Sequence, residues 1–272
     1  FSELEKTNLV LNENDFVWRG LDGKTMYIPL YEAKLFDAFN PRHGDFRRIE
    51  DEKKFGVKAQ PAKPSREELD NKNWSPHPRY WVPIDLRDDW LEKRNSKSIG
   101  LGNVATRDIC RGLVESRSLK AVVLPHSVAL GNTGNYWLSP NSDPAYPWVL
   151  SAVMNSLISD FQARMKLTGI HLSKYILEQL FFVTPEKLRD TYVYVDGKNY
   201  ETAWFQLLVV SRALHKEWTH LQHPLDTLPP WLVNEPNPMA ILDVITAKIM
   251  GLNEEKFSWL LDQFPIWERQ LG

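Results

Sequence analysis

The sequence predicts an α+β fold: a mixed, β-rich part that contains a helical hairpin, followed by an α-helical C-terminal part. Three observations predict it. Short β-prone runs with turn chemistry between them recur over residues 8–36 and 99–138. A run of helical periodicity, WVLSAVMNSLISDFQARMKLTGIHLSKYILEQLFF, spans Trp148–Phe182. Beyond Pro185 the period is mainly helical and is broken by prolines.

In order along the chain, Asn8–Leu11, Phe16–Trp18 and Met26–Tyr31 read as strands, with Asp22-Gly23 as a hairpin turn. Asn40–Pro78 is polar, charged and proline-bearing, so it reads as a long loop of residues 40–78. RYWVPI at Arg79–Ile84 is a strand that ends at proline. Val104–Ile109 and Ala121–Leu124 are apolar or β-branched strands, and GNTGNYW at Gly131–Trp137 is a tight turn followed by an aromatic strand.

Val149, Val153, Leu157 and Phe161 recur at every fourth position, which predicts one helix from Trp148 to Met165, stopped at Thr168-Gly169. Leu172, Tyr175, Ile176 and Leu180 mark a second helix. TYVYV at Thr191–Val195 with Asp196-Gly197 predicts a hairpin, and Thr202–Leu221 a long amphipathic helix. Met239–Met250 is a helix closed by Gly251; Asn253 caps a last helix over Glu254–Phe264, stopped by Pro265. The expected organisation is a domain over residues 1–185 and a mainly helical subdomain over 186–272.

At 272 residues, 43% hydrophobic and 25% charged, the chain can bury one good core with a helical appendage. No apolar run approaches the ~18 residues of a membrane span, so no membrane partner is expected. Cys110 is the single cysteine, which rules out an internal disulfide and suits a reducing, cytoplasmic location. FSELEKTNLV has neither an initiator Met nor a signal-peptide pattern, and the chain is expected to be part of a longer polypeptide.

A net charge of −2 is not the footprint of a basic nucleic-acid binder, yet the charge is segregated. Lys93, Arg94, Lys97, Arg107, Arg111, Arg117 and Lys120 face only Asp108 and Glu115 in the same stretch. From Asp226 onward acids outnumber bases. A basic middle suggests one surface turned toward a polyanion.

Catalytic signatures are missing. Adenine methylation needs a polar residue, two prolines and an aromatic ring in sequence to hold a flipped base. Pro229-Pro230-Trp231 follows Leu228 where the polar residue should stand, and it reads as a helix-breaking turn. IGLGN around Gly100–Gly102 is too short for a nucleotide loop. His215, His220 and His223 do not share one helical face, so no metal site is assigned.

IPLYEAKLFDAFN at Ile28–Asn40, Tyr80-Trp81-Val82, Arg107-Asp108-Ile109 through Arg117, LPHSVALGN at Leu124–Asn132, the Met154–Leu180 run, and the endings Ile241–Leu252 and Leu260–Pro265 follow one another in a familiar order. Together they resemble the C-terminal target-recognition region of adenine-N6 DNA methyltransferases of the fused restriction–modification, phage-defence type. Two departures stand out: Ala33 replaces the family's usual glycine, and Val114 stands where an Asn or Asp is common.

The resemblance implies a recognition module for double-stranded DNA, without an active site of its own. It also implies an N-terminal methyltransferase domain of the same polypeptide as partner, with S-adenosylmethionine as that domain's cofactor and no cofactor in this region. Lys34, Arg42, Arg107, Arg117, Arg164, Lys166 and His171 are then the candidates for phosphate and base contacts, and Asn132 and Asn135 for reading adenine edges. Ser156, Asp160 and Gly169 are expected to be structural. The rival reading is a protein-interaction or assembly domain of a multi-subunit defence complex.

Overall fold

A computed structural model describes residues 8–12, 16–56, 58–94, 102–110, 115–139, 143–195 and 199–264. The expected Asp196-Gly197 turn, the Pro265 stop and Val114 lie outside the described residues, as do Arg111 and Lys97. The fold is α+β, with mixed sheets and helices. The chain divides into two compact units: Phe1–Thr106, Val122–Pro144 and Lys216–Gln222 form the first, and Arg107–Ala121, Ala145–His215 and His223–Gly272 the second.

The first unit is built on a five-stranded sheet. Strands β1 (Leu9–Asn12), β2 (Val17–Gly20), β3 (Met26–Tyr31) and β4 (Tyr80–Pro83) run antiparallel in that order. Asp22 makes the β2–β3 turn: its Oδ1 accepts the amides of Lys24 and Thr25, both at 2.9 Å, and Gly23 supplies a φ of 65°. The short β7 (Ala129–Leu130) adds to β3 in parallel, with Leu30 opposite Ala129. Val17, Ile28 and Ala129 are buried together beneath this sheet. A second sheet has the order β6-β5-β8, from Ala121–Leu124, Asn103–Arg107 and Gly134–Trp137.

The stretch expected as a loop over residues 40–78 carries two short helices, α1 (Asp51–Lys54) and α2 (Arg66–Asp70). Ser65 and Glu68 form a reciprocal capping box on α2. Three polar anchors hold the stretch. The Arg42 guanidinium donates to the carbonyls of Leu69 (2.7 Å), Asn71 (2.8 Å), Trp74 (3.1 Å) and Glu217 (2.8 Å). Asp45 Oδ1 accepts the His77 amide at 2.7 Å. Arg79 grips Glu32 with two bonds, at 2.6 and 2.7 Å. Each of these residues satisfies main-chain groups or a charge that burial would otherwise leave unpaired. A further helix, α3 (Ile84–Glu92), follows β4 directly.

The second unit is helical around one hairpin. Its elements are α4 (Tyr146–Met154), α5 (Leu157–Lys166), α6 (Lys174–Leu177), α7 (Pro185–Asp190), the pair β9 (Tyr192–Val195) and β10 (Asn199–Thr202), then α8 (Ala203–Leu214), α9 (Pro230–Val233), α10 (Pro238–Ile249) and α11 (Glu254–Asp262). Helix α8 is central: it packs against α4, α7 and α10. Leu207, Val209 and Val210 on it are fully buried, each contributing roughly 1.5–3 kcal/mol by leaving water. A second apolar cluster joins Leu157 and Ile158 to Ala247, Leu260 and Phe264.

Because α8 and α10 share a core with α4, the contacts do not part at residue 185, and the expected 1–185 and 186–272 division is replaced by the two units above. Helix α8 also ends at Leu214 rather than Leu221. His215 turns extended there and keeps its ring Nδ1 on the Ser211 carbonyl at 2.8 Å, while Trp218 is buried in the first unit.

Candidate functional site

The helix expected over Trp148–Met165 is two helices, and polar side chains make the break. Asn155 ends α4 with its own amide still on the Ser151 carbonyl at 3.1 Å, while its side chain pairs with the Ala121 main chain: its Oδ1 accepts the Ala121 amide at 2.8 Å and its Nδ2 donates to the Ala121 carbonyl at 2.7 Å. Ser156 is extended, with ψ 153°, and its Oγ caps α5 by accepting the Ser159 amide at 3.3 Å. The hydroxyl also donates to the Val153 carbonyl at 2.7 Å.

One turn further on, Asp160 is fully buried. Its Oδ1 accepts the amides of Ser118 (2.6 Å) and Leu119 (2.7 Å), and its Oδ2 accepts Arg164 Nε at 2.9 Å. Asp243 completes the frame: its Oδ1 accepts the Leu157 amide at 2.6 Å and its Oδ2 accepts Arg117 Nη2 at 2.7 Å. Residues 115–121 are thereby strapped to the base of α5 by charge-assisted bonds.

The far end of α5 leads into an elbow that residues 108–110 hold. The Cys110 amide donates to the Ile170 carbonyl at 2.9 Å, and the Leu172 amide to the Asp108 carbonyl at 2.6 Å. This is an isolated antiparallel bridge between Ile109 and His171. His171 Nδ1 adds a bond to Asp108 Oδ2 at 2.7 Å. On the return limb, Gln162 Oε1 accepts the Phe181 amide at 2.9 Å and its Nε2 donates to the Phe181 carbonyl at 3.2 Å. Leu172 and Leu177 are fully buried under the elbow. The second helix of the hairpin is shortened to Lys174–Leu177 by these anchors.

What the elbow presents outward is both cationic and apolar. Met165 is 71% exposed, Ile170 56% and Tyr175 75%. Lys166 is exposed at the C-terminus of α5. Lys174 is 74% exposed and lies 3.3 Å from Glu178, a surface pair worth little to stability. From Phe161 to Leu177 the sequence carries no acid.

The other residues proposed from the sequence fall into distinct groups. Arg42 is 1% exposed and its donors are spent on main-chain carbonyls in the first unit, so it holds the fold instead of facing a ligand. Arg117 is buried against Asp243, and Arg164 turns inward, donating through Nη2 to the Glu115 carbonyl at 2.8 Å. These three are corrected to structural roles, because a guanidinium bonded to carbonyls or a carboxylate inside the fold is turned away from any phosphate outside it. Lys34 Nζ donates to the Ala59 carbonyl at 2.6 Å in the first unit. Arg107 is half-buried at the end of β5. In the first unit Asn132 is exposed and Asn135 half-buried, on the turn and strand expected for them. In the second unit the elbow brings Lys166 and His171 together with Lys174.

Sequence reading passed over the apolar half of the elbow. Its signal was available: Met165 continues the i+4 series beyond Phe161, just where Gly169 prevents that stripe from burying itself.

Other reactive groups are occupied inside the fold. Cys110 is buried, and burial pushes its thiol up to about 11, which removes the thiolate a nucleophile needs. Among the described residues, no group of three or more His, Cys, Asp or Glu side chains is placed to hold a metal ion. His215 and His223 flank the Trp148 ring, with centroids 4.8 and 4.7 Å away. Pro229-Pro230-Trp231 opens α9, Pro229 standing at its N-cap. No helix among the described residues is long and apolar enough to cross a membrane.

Burial also depresses His77, in the first unit, and His215, in the second, to about 3 each. Unfolded histidine titrates near ~6.5. Between those values the unfolded chain binds protons that the folded rings refuse. The stability gained from keeping them neutral is therefore complete above ~6.5 and is lost as pH falls toward 3, by on the order of 2 kcal/mol per ring at pH ~5. Urea titrations at pH 7.5 and 5 are expected to show a clearly lower midpoint at pH 5. An unchanged midpoint would contradict neutral burial of these rings.

Searches of family models, of curated proteins and of solved structures find no match to this chain.

Proposed function

We propose that this chain is the target-recognition module of an adenine-N6 DNA methyltransferase, and that it holds double-stranded DNA through the elbow of the second unit. The single observation that carries this reading is the braced elbow, where Lys166, Lys174 and His171 stand on a frame of buried polar bonds. Lysines on a rigid projection neutralise phosphates and fix register at little entropic cost. The order of motifs that resembles the target-recognition regions supports the same reading. Asn132 and Asn135, on and after the turn of the first unit, are the candidates for base contacts in this reading.

Methyl transfer belongs to a neighbouring catalytic domain in this proposal. S-adenosylmethionine would be bound by that domain in this reading, and no cofactor role is proposed for the residues of this chain. No chemical step is assigned to residues of this chain.

Charge reversal at Lys166→Glu/Lys174→Glu tests the reading. Both side chains are exposed, so the fold is expected to keep its stability within about 0.5 kcal/mol. Affinity for duplex DNA is expected to fall at least tenfold and the salt dependence to weaken by about two counterions. Unchanged affinity and slope would remove the elbow from the interface.

The rival reading, a protein-docking domain, is favoured by one feature of the second unit. Tyr192, Tyr194 and Tyr200 form an exposed ladder on the β9–β10 hairpin, with ring centroids 5.1 and 4.4 Å apart. Tyrosine clusters of this kind are common at protein interfaces. Salt-insensitive complex formation that is lost on Tyr194→Ala/Tyr200→Ala would favour it.

A further inference from the structure

The elbow offers more than charge, and charge alone does not explain its shape. Met165, Ile170 and Tyr175 are large apolar side chains exposed to solvent, and they share the stretch from Met165 to Tyr175 with the exposed Lys166 and Lys174. Exposing them carries a cost in water that a purely electrostatic clamp has no reason to meet. They are also held rigidly. The Ile170 carbonyl is fixed by the Cys110 amide, Leu172 is fully buried, and Gln162 ties the two limbs together through Phe181. At Gly169 a Cβ would meet nothing within 4 Å, so the turn is open on that side. Gly169 adopts no left-handed φ, so its small size is not demanded by the backbone.

An open, hydrogen-bonded turn that exposes apolar side chains together with lysines matches the chemistry of side chains that enter the minor groove. There an apolar wedge unstacks a base step while neighbouring cations hold the phosphates on either side. We propose that Met165 and Ile170 act as such a wedge, entering the minor groove of the bound duplex and bending it, with Lys166 and Lys174 on the flanking phosphates. The inference rests on the DNA reading above and adds to it a mode of engagement: recognition that depends on how easily the duplex deforms, as well as on contacted bases. For a partner enzyme that must extrude a base, a duplex already bent and partly unstacked lowers the cost of extrusion.

The experiment uses the 272-residue chain and a 30-base-pair duplex carrying a fluorescence donor and acceptor at its ends. Affinity and end-to-end distance are read together, for the natural chain and for Met165→Ala/Ile170→Ala. Because both side chains are exposed, the variant is expected to fold normally; circular dichroism and its urea midpoint confirm this. The natural chain is expected to shorten the end-to-end distance. The variant is expected to bind about tenfold more weakly and to leave the duplex straight, with the salt slope unchanged because the lysines remain. A duplex with a single mismatch, where unstacking is already partly done, is expected to bind the natural chain several-fold more tightly and to give the variant little gain. If the variant binds and bends as the natural chain does, the wedge is wrong and the DNA reading stands. If the natural chain binds no duplex at low salt, with the catalytic domain also supplied, the DNA reading and the wedge fall together. If it binds without bending, the wedge is overturned and a purely electrostatic clamp remains.

Discussion

Asp160→Ala is expected to destabilise the second unit by about 3–5 kcal/mol, the range found when one partner of a buried charge network is removed. Three groups lose their acceptor at once: the amides of Ser118 and Leu119, both on fully buried residues, and the Arg164 guanidinium. Buried N–H groups without an acceptor cost about 1–3 kcal/mol each. No rearrangement within α5 supplies another carboxylate, since Asp160 is its one acid. Asp160→Asn keeps an oxygen for the two amides but gives up the charge and sets an amide NH2 donor where Oδ2 accepted Arg164 Nε, so its cost is expected to be smaller than that of Ala without vanishing. Urea unfolding followed by circular dichroism measures both. Equal losses for Ala and Asn would show that the charge, rather than acceptance of the two amides, is what the network requires.

Arg42→Ala is expected to cost the first unit a similar amount, about 3–5 kcal/mol. The guanidinium gathers the carbonyls of Leu69, Asn71, Trp74 and Glu217 around one planar fork, 5.9 Å from the Trp218 ring centroid. Lysine has three donors on a tetrahedral head and cannot reproduce that fork, so Arg42→Lys is expected to recover only part of the loss. Amide exchange should rise across residues 66–75, the stretch whose carbonyls are released. Unaltered exchange there, with unchanged stability, would contradict the role given to Arg42. The substitution also separates structure from recognition: any effect of Arg42 on DNA binding is expected to follow its effect on folding.

The parts of this fold that were legible in the sequence are those set by neighbours. The Asp22-Gly23 turn, the strand at Met26–Tyr31, the Asn253 cap, whose Oδ1 accepts the Lys256 amide at 3.0 Å, and the positive φ of Gly251 all follow from a few adjacent residues. Ser156 and Asp160 were also legible as structural, because a small polar residue and an acid inside an apolar helical stripe have to serve the backbone. What was not legible depends on partners distant in sequence. Arg42 looked like a surface cation until Glu217, 175 residues away, closed its cage. Arg117 and Asp243 are 126 residues apart. Asn155 reads as one more helical residue in a strong i+4 pattern, and only the distant amide and carbonyl of Ala121 show that its side chain serves another segment where α4 ends and Ser156 turns extended. The six-residue helix α7 is too short to show a period ahead of the expected hairpin; proline at its first position begins it, capped by Thr184.

The same distinction divides the candidate site. Of the cations proposed from sequence, Arg42 and Arg117 are buried against distant carbonyl or carboxylate partners, whereas His171 keeps an exposed ring beside its distant partner Asp108. Lys166 and Lys174 stayed at the surface because the elbow lifts them away from the frame. The apolar tip went unrecognised because an exposed Met and Ile at the end of an amphipathic stripe look, in sequence, like its continuation into a core.

The most direct test of the central claim is fluorescence-anisotropy titration of the chain with randomised duplex DNA at two salt concentrations, followed by sequencing of the bound pool. The account expects binding that weakens steeply as salt rises and a bound pool enriched in one short motif. Absence of binding at low salt, with the catalytic domain also supplied, would contradict it and leave the tyrosine ladder of the second unit as the surface to pursue.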